Sequence, residues 1–158
     1  MIESIAHCHN QSKRAVMLIC EGDDFLEMTV TDRIPDHLPA SGDTRFEIKV
    51  QSFGFSGQSS VWIDRLALIS FAAQLQELEN RRQGEAELSS ISPSQFWLRI
   101  YSTDSLGQMA LAGRLSRLKP DLNCEHLVEF GFRFDPSVLP SIVKGFEKIQ
   151  AEFAIDNK

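Results

Sequence analysis

The chain has 158 residues, 42% of them hydrophobic and 24% charged, the balance of one globular domain (1–158) able to bury a core without staples. Its net charge of −6 excludes a basic nucleic-acid face, because the lysines and arginines are few and mixed with acids. The longest apolar run, Ala15–Cys20, excludes a membrane-spanning helix, which needs roughly 20 apolar residues.

Met1–Arg14 is polar and lacks the apolar stretch of a secretory signal. Arg14–Cys20 and Phe25–Thr31 read as strands around the turn Glu21-Gly22-Asp23-Asp24. Ile34–Gly42, with Pro35, Pro39 and Gly42, reads as a loop. Thr44–Phe53 alternates Phe46, Ile48 and Val50 against Arg45, Glu47, Lys49 and Gln51, the signature of a strand with one side buried. No internal repeat or low-complexity tract is visible.

A Gly-rich turn at Gly54–Gly57 leads toward a helix that starts near Asp64, whose carboxylate suits the orphan N–H groups of a first turn. Leu68, Phe71, Leu75 and Leu78 form one core stripe, and Leu66, Ile69 and Ala73 a second apolar line. The second line predicts either cover on two sides or self-association into a homo-oligomer. The helix is expected to stop around Arg81–Gln83, with Gly84 just beyond.

Four strands follow: Glu85–Ile91, Gln95–Ser102, Gln108–Leu118 and Glu125–Phe134, with a hairpin turn at Asp104-Ser105-Leu106-Gly107. The last strand sends Val128, Phe130, Phe132 and Phe134 inward. Asp135-Pro136 then ends it and opens a second helix with the apolar face Leu139, Ile142, Val143, Phe146, Ile149 and Phe153, regular from Pro140 onward. The pattern predicts an α+β fold: an antiparallel sheet of about six to seven strands, with two amphipathic helices on one face and the other face open to water.

Candidate chemistry is sparse. His7-Cys8-His9 holds metal-ligand residue types, but neighbours in a strand face opposite ways and no paired ligand motif accompanies them. Gly54-Phe55-Ser56-Gly57 lacks the spacing of a nucleophile elbow, and the glycines are better explained by a turn. No phosphate-cradling or dinucleotide motif is present. The expectation is therefore no catalytic residue, no metal and no cofactor. Cys8, Cys20 and Cys124, odd in number and scattered, argue against a disulfide framework and for a reducing, cytoplasmic setting.

Binding is better represented. Between Glu21 and Glu47 lie eight acids, including Asp23, Asp24 and Glu27, against only Arg33 and Arg45, a surface suited to a basic protein partner. The predicted open face of the sheet carries Trp97, Arg99 and Tyr101, then Arg114, then Glu129 and Arg133, the aromatic and arginine types that dominate binding hot spots. The competing reading is a small-molecule binder or enzyme with a pocket between sheet and helices or at the Gly54–Gly57 turn.

The segments FSGQSSVWIDRLALISFAAQLQEL, GEAEL, FWLRIYSTDSLGQMALAGRL and LVEFGFRFDPSVLP, in that order, resemble small bacterial proteins similar to the WapI-type immunity family. The resemblance spans about Phe46–Phe153. It implies the α+β fold and a non-catalytic module that neutralises a toxin by binding it, and it transfers no binding residue by position.

Overall fold

A computed structural model describes residues 15–156, with side chains described for 16–151. The polar segment Met1–Arg14, the His7-Cys8-His9 group and the side chain of Phe153 lie outside the described residues. Among the described residues, eight strands and two α-helices follow in the order β1 (Ala15–Glu21), β2 (Asp24–Arg33), β3 (Thr44–Ser52), β4 (Phe55–Ile63), α1 (Arg65–Arg81), β5 (Glu85–Ser89), β6 (Phe96–Ser102), β7 (Met109–Lys119), β8 (Cys124–Phe134) and α2 (Leu139–Asp156). Short 3₁₀ turns at Pro120–Leu122 and Pro136–Val138 precede β8 and α2.

The strands make two four-stranded antiparallel sheets, β1-β2-β3-β4 and β5-β6-β7-β8, so the expectation of one sheet of six to seven strands is corrected. The strand missing from that count is β4. Its first half is exposed, and only Ser59, Val61 and Ile63 alternate inward, because it forms an edge of the first sheet. Small polar residues on such an edge give no period-two hydrophobic signal. Once β4 is counted, the order of elements among the described residues repeats: four strands and a helix, twice over. That repetition leaves no trace in the residues themselves.

The sheets meet with β4 against β7 and β8, and β1 and β3 against β8. Helix α1 lies on β5 and against α2, while α2 lies on β1. One connected cluster of buried side chains draws on both sheets and both helices. Phe71 of α1 meets Phe146 of α2 edge-on at 5.0 Å between ring centres, a favoured aromatic geometry. Gly145 lets α2 approach the backbone of β1, since any Cβ there collides with the Val16 carbonyl oxygen.

Local signals behave as the chemistry predicts at several points. Asp64 caps α1, its carboxylate accepting from Ala67 N at 2.7 Å. Leu68, Phe71, Leu75 and Leu78 are all buried. The line Leu66, Ile69 and Ala73 is exposed, Leu66 by 77%, so cover on two sides is corrected: the helix packs on one side only. At the other end of α1 the left-handed cap is Arg82 (φ 56) rather than Gly84. Its guanidinium donates to Glu79 O at 3.1 Å and to Pro136 O at 3.3 Å, tying the end of α1 to the approach to α2.

Candidate functional site

Two surfaces gather the residues that the sequence singled out. On the outer face of the second sheet, register places Trp97 opposite Arg114 and Arg114 opposite Glu129, with Tyr101, Ala110 and Arg133 in another row. All six candidate residues of this face therefore share one side of β6, β7 and β8. Two of its arginines are already engaged. Arg99 meets Glu85 at 2.5 Å and lies 4.3 Å over the Tyr101 ring, and Arg114 reaches Glu125 at 3.1 Å. Exposed pairs of this kind add little stability, yet a partner must displace them to use the arginines.

The second surface is the end of the first sheet where β1 turns into β2 and β3 turns into β4. Phe53 and Gly54 form the β3–β4 turn, both with positive φ (51 and 84), as a type I′ hairpin requires. Gly54 adopts that conformation freely, whereas a phenylalanine there is strained. Phe53 is nevertheless 90% exposed and Phe55 68% exposed.

This strained turn is held in place. The Phe53 N–H donates to Asp24 Oδ1 at 3.0 Å, and the Gln51 amide donates to the Asp23 carbonyl at 2.9 Å. Behind it, Ser52 Oγ donates to Gly131 O and accepts from Gly131 N, each at 3.1 Å. Two exposed phenylalanines thus sit on a pinned turn beside Glu21, Asp23 and Asp24.

The acidic segment does not form one patch. Asp32, Asp36 and Asp43 gather at the opposite end of the first sheet, about 27 Å from Asp24 for a strand of this length. Glu47 is bonded on the sheet surface to Gln58 and Ser60. Glu27, expected in the partner surface, is only 4% exposed, opposite Lys49 in the register. Phe53 and Phe55 escape sequence reasoning because the first closes the expected strand Thr44–Phe53 and the second lies inside the expected turn Gly54–Gly57; a large aromatic directly before a turn glycine is the available signal.

A groove of about 410 Å³ runs beside β4, lined by Ser56–Ser59, Leu115–Arg117 and His126–Val128. It lies between the sheets at one edge, not between sheet and helices. Among the described residues no group of three or more His, Cys, Asp or Glu is placed to hold a metal ion, and no helix is long and apolar enough to cross a membrane. Cys124 is a free, exposed thiol.

With this geometry in view, comparison with known families is decisive for ancestry. The model of the immunity protein WapI-like family matches residues 17–154. The chain belongs to that WapI-like immunity family. The match extends well upstream of the Phe46 boundary at which the resemblance was read, taking in β1 and β2. No curated protein matches the sequence. Among solved structures, a chain from the Trypanosoma brucei MRP1/MRP2 crystal structures is 12% identical, covering 96% of this chain and 92% of that one, with a TM-score of 0.51. At that identity the likeness concerns the fold alone, and it supports the arrangement of two sheets and two helices in this WapI-like protein.

Proposed function

We propose that this WapI-like protein neutralises a bacterial toxin by binding it, without catalysis, and that the acidic and aromatic end of the first sheet makes the contact. The observation that carries this reading is Phe53, 90% exposed in a left-handed backbone conformation. A solvent-facing phenylalanine contributes nothing to the core, and its φ costs the fold of order 1–2 kcal/mol. Such strain persists at positions that serve recognition. A rigid aromatic flanked by carboxylates is a hot spot of the kind that anchors on a basic partner while its charges speed encounter.

The test is co-expression with, and direct binding to, any toxic domain found encoded beside the protein's own gene. The wild-type chain is expected to restore growth and to form a complex whose affinity falls as salt rises. Asp23→Lys is expected to slow association and flatten the salt dependence. Glu27→Lys is expected to unfold the chain rather than report on binding, since that position is buried. A toxin left fully active by wild-type protein in excess overturns the proposal, as does enzymatic conversion of the toxin or its target.

A further inference from the structure

Each four-stranded sheet has two edges, and exposed edges invite pairing with another chain unless they are guarded. Two of the four are covered here, and that of β8 is held at Gly131 alone. Helix α2 lies along β1. The Gln74 side chain of α1 accepts from Glu87 N on β5 at 2.8 Å. Ser52 takes both backbone groups of Gly131 on β8.

The edge of β4 is different. The two-residue turn makes Ser52 and Phe55 a hydrogen-bonded pair, so the backbone groups of Ser56, Gln58, Ser60 and Trp62 point away from β3. That parity is visible at Trp62, whose carbonyl accepts from Ile91 N at 2.8 Å. Among the described residues nothing pairs with the outward backbone groups of Ser56, Gln58 and Ser60. This open stretch spans about 14 Å at the rise of a strand, and it forms one wall of the 410 Å³ groove.

The opposite wall decides the occupant. Leu115 and Val128 supply apolar surface there, facing Gly57, while Arg117, opposite His126 across β7 and β8, supplies its charge. No carboxylate lines the groove. The nearby Glu125 is committed to Arg114 at 3.1 Å. A second copy of this chain docking β4 to β4 brings another Arg117 to the same groove, adding like charge. An acidic segment complements it.

We propose that an extended segment of a partner protein adds to the open edge of β4 as a fifth strand of the first sheet, setting an acidic side chain against Arg117 and His126 and an apolar one on Leu115 and Val128. Backbone pairing supplies affinity and the groove supplies selectivity, as in other strand-addition interfaces. The site is separate from the Phe53 turn and does not depend on the toxin-binding reading.

The test is an amide-resolved NMR titration of the ¹⁵N-labelled full chain with two synthetic heptapeptides of alternating Val and Thr, one with a central Glu and one with a central Lys. The Glu peptide is expected to shift and protect the Ser56, Gln58 and Ser60 amides and to bind at least about tenfold more tightly than the Lys peptide. Gln58→Pro removes an N–H that faces away from β3, a change edge strands tolerate, and is expected to abolish binding. Arg117→Glu is expected to invert the peptide preference with the fold intact. The proposal is overturned by equal affinity for the two peptides, by shifts confined to other residues, or by no binding of either. Self-association of the wild-type chain through the same amides, abolished by Gln58→Pro, overturns it in favour of a second copy as the occupant.

Discussion

Asp24 accepts a hydrogen bond from the backbone of Phe53 at 3.0 Å, joining two turns that lie 29 residues apart in the chain. The contact fixes an exposed aromatic at the centre of an acidic sheet end, and it makes Phe53 a position where stability and binding pull in opposite directions. Asn-Gly is the favoured pair for a type I′ turn. Phe53→Asn is therefore expected to stabilise the protein by about 1 kcal/mol, raising Tm by about 3 °C, while weakening toxin binding at least about tenfold. Thermal unfolding and binding isotherms on the same samples check both halves. A variant that is less stable and binds unchanged removes Phe53 from the proposed contact.

Ser52 and Gly131 hold the two sheets together at this corner with a reciprocal pair of hydrogen bonds across 79 residues of sequence. Ser52 is buried at 5% exposure, but Gly131 lies on an exposed stretch of β8, so water recovers part of what is lost. Ser52→Ala is expected to destabilise the fold by about 1–2 kcal/mol and to accelerate hydrogen exchange at the Gly131 amide, with exchange in α1 little changed. Urea unfolding and exchange measured residue by residue distinguish this local loosening from a general loss of packing.

What was legible in the sequence followed from local chemistry. The alternation in β3 gave its buried face, the spacing of Leu68, Phe71, Leu75 and Leu78 gave the core side of α1, and Asp135-Pro136 marked the passage from β8 toward α2. The six residues of the outer face of β6–β8 were correctly assembled because period two alone decides which way a strand side chain points. Tertiary relations were not legible. Nothing local to Ser56–Ser60 says that it forms an edge strand, and without it one sheet cannot be told from two. Nor does composition separate Asp24, which faces the Phe53 turn, from Glu27, which is buried three residues later on the same strand. The strain at Phe53 depends on a turn type set by pairing between β3 and β4, and the groove on the meeting of two sheets.

Asp64 offers a test of the local reading by itself. Its carboxylate accepts from Ala67 N at 2.7 Å, and the first turn of α1 carries no other acid. Asp64→Ala is expected to cost about 1 kcal/mol, and Asp64→Ser much less, since a serine hydroxyl can take the same N–H. Because this cap is remote from both proposed binding surfaces, neither variant is expected to alter toxin affinity at temperatures where the protein stays folded. Paired denaturation and binding measurements check this.

Asp135 gives the fold a defined response to acid. Its carboxylate accepts from the Ser137 backbone N–H at 2.9 Å. That bond first, then the Ser137 hydroxyl, with a smaller contribution from the charge of Arg82, hold the carboxyl below its ordinary value of 3.8. A carboxyl whose folded value is depressed contributes its stabilisation in full above the unfolded value. That contribution is lost as pH falls through the folded one. Wild type is therefore expected to be more stable than Asp135→Ala by a constant margin at neutral and mildly acidic pH. The margin should narrow once the pH drops below about 4 and close when the carboxyl is protonated in both states. Urea unfolding of the two proteins across that range, with an NMR titration of the Asp135 carboxyl carbon, checks both the window and its direction. A margin that grows on acidification, or a midpoint above the ordinary carboxylate range, contradicts the assignment of this cap to the ionised form.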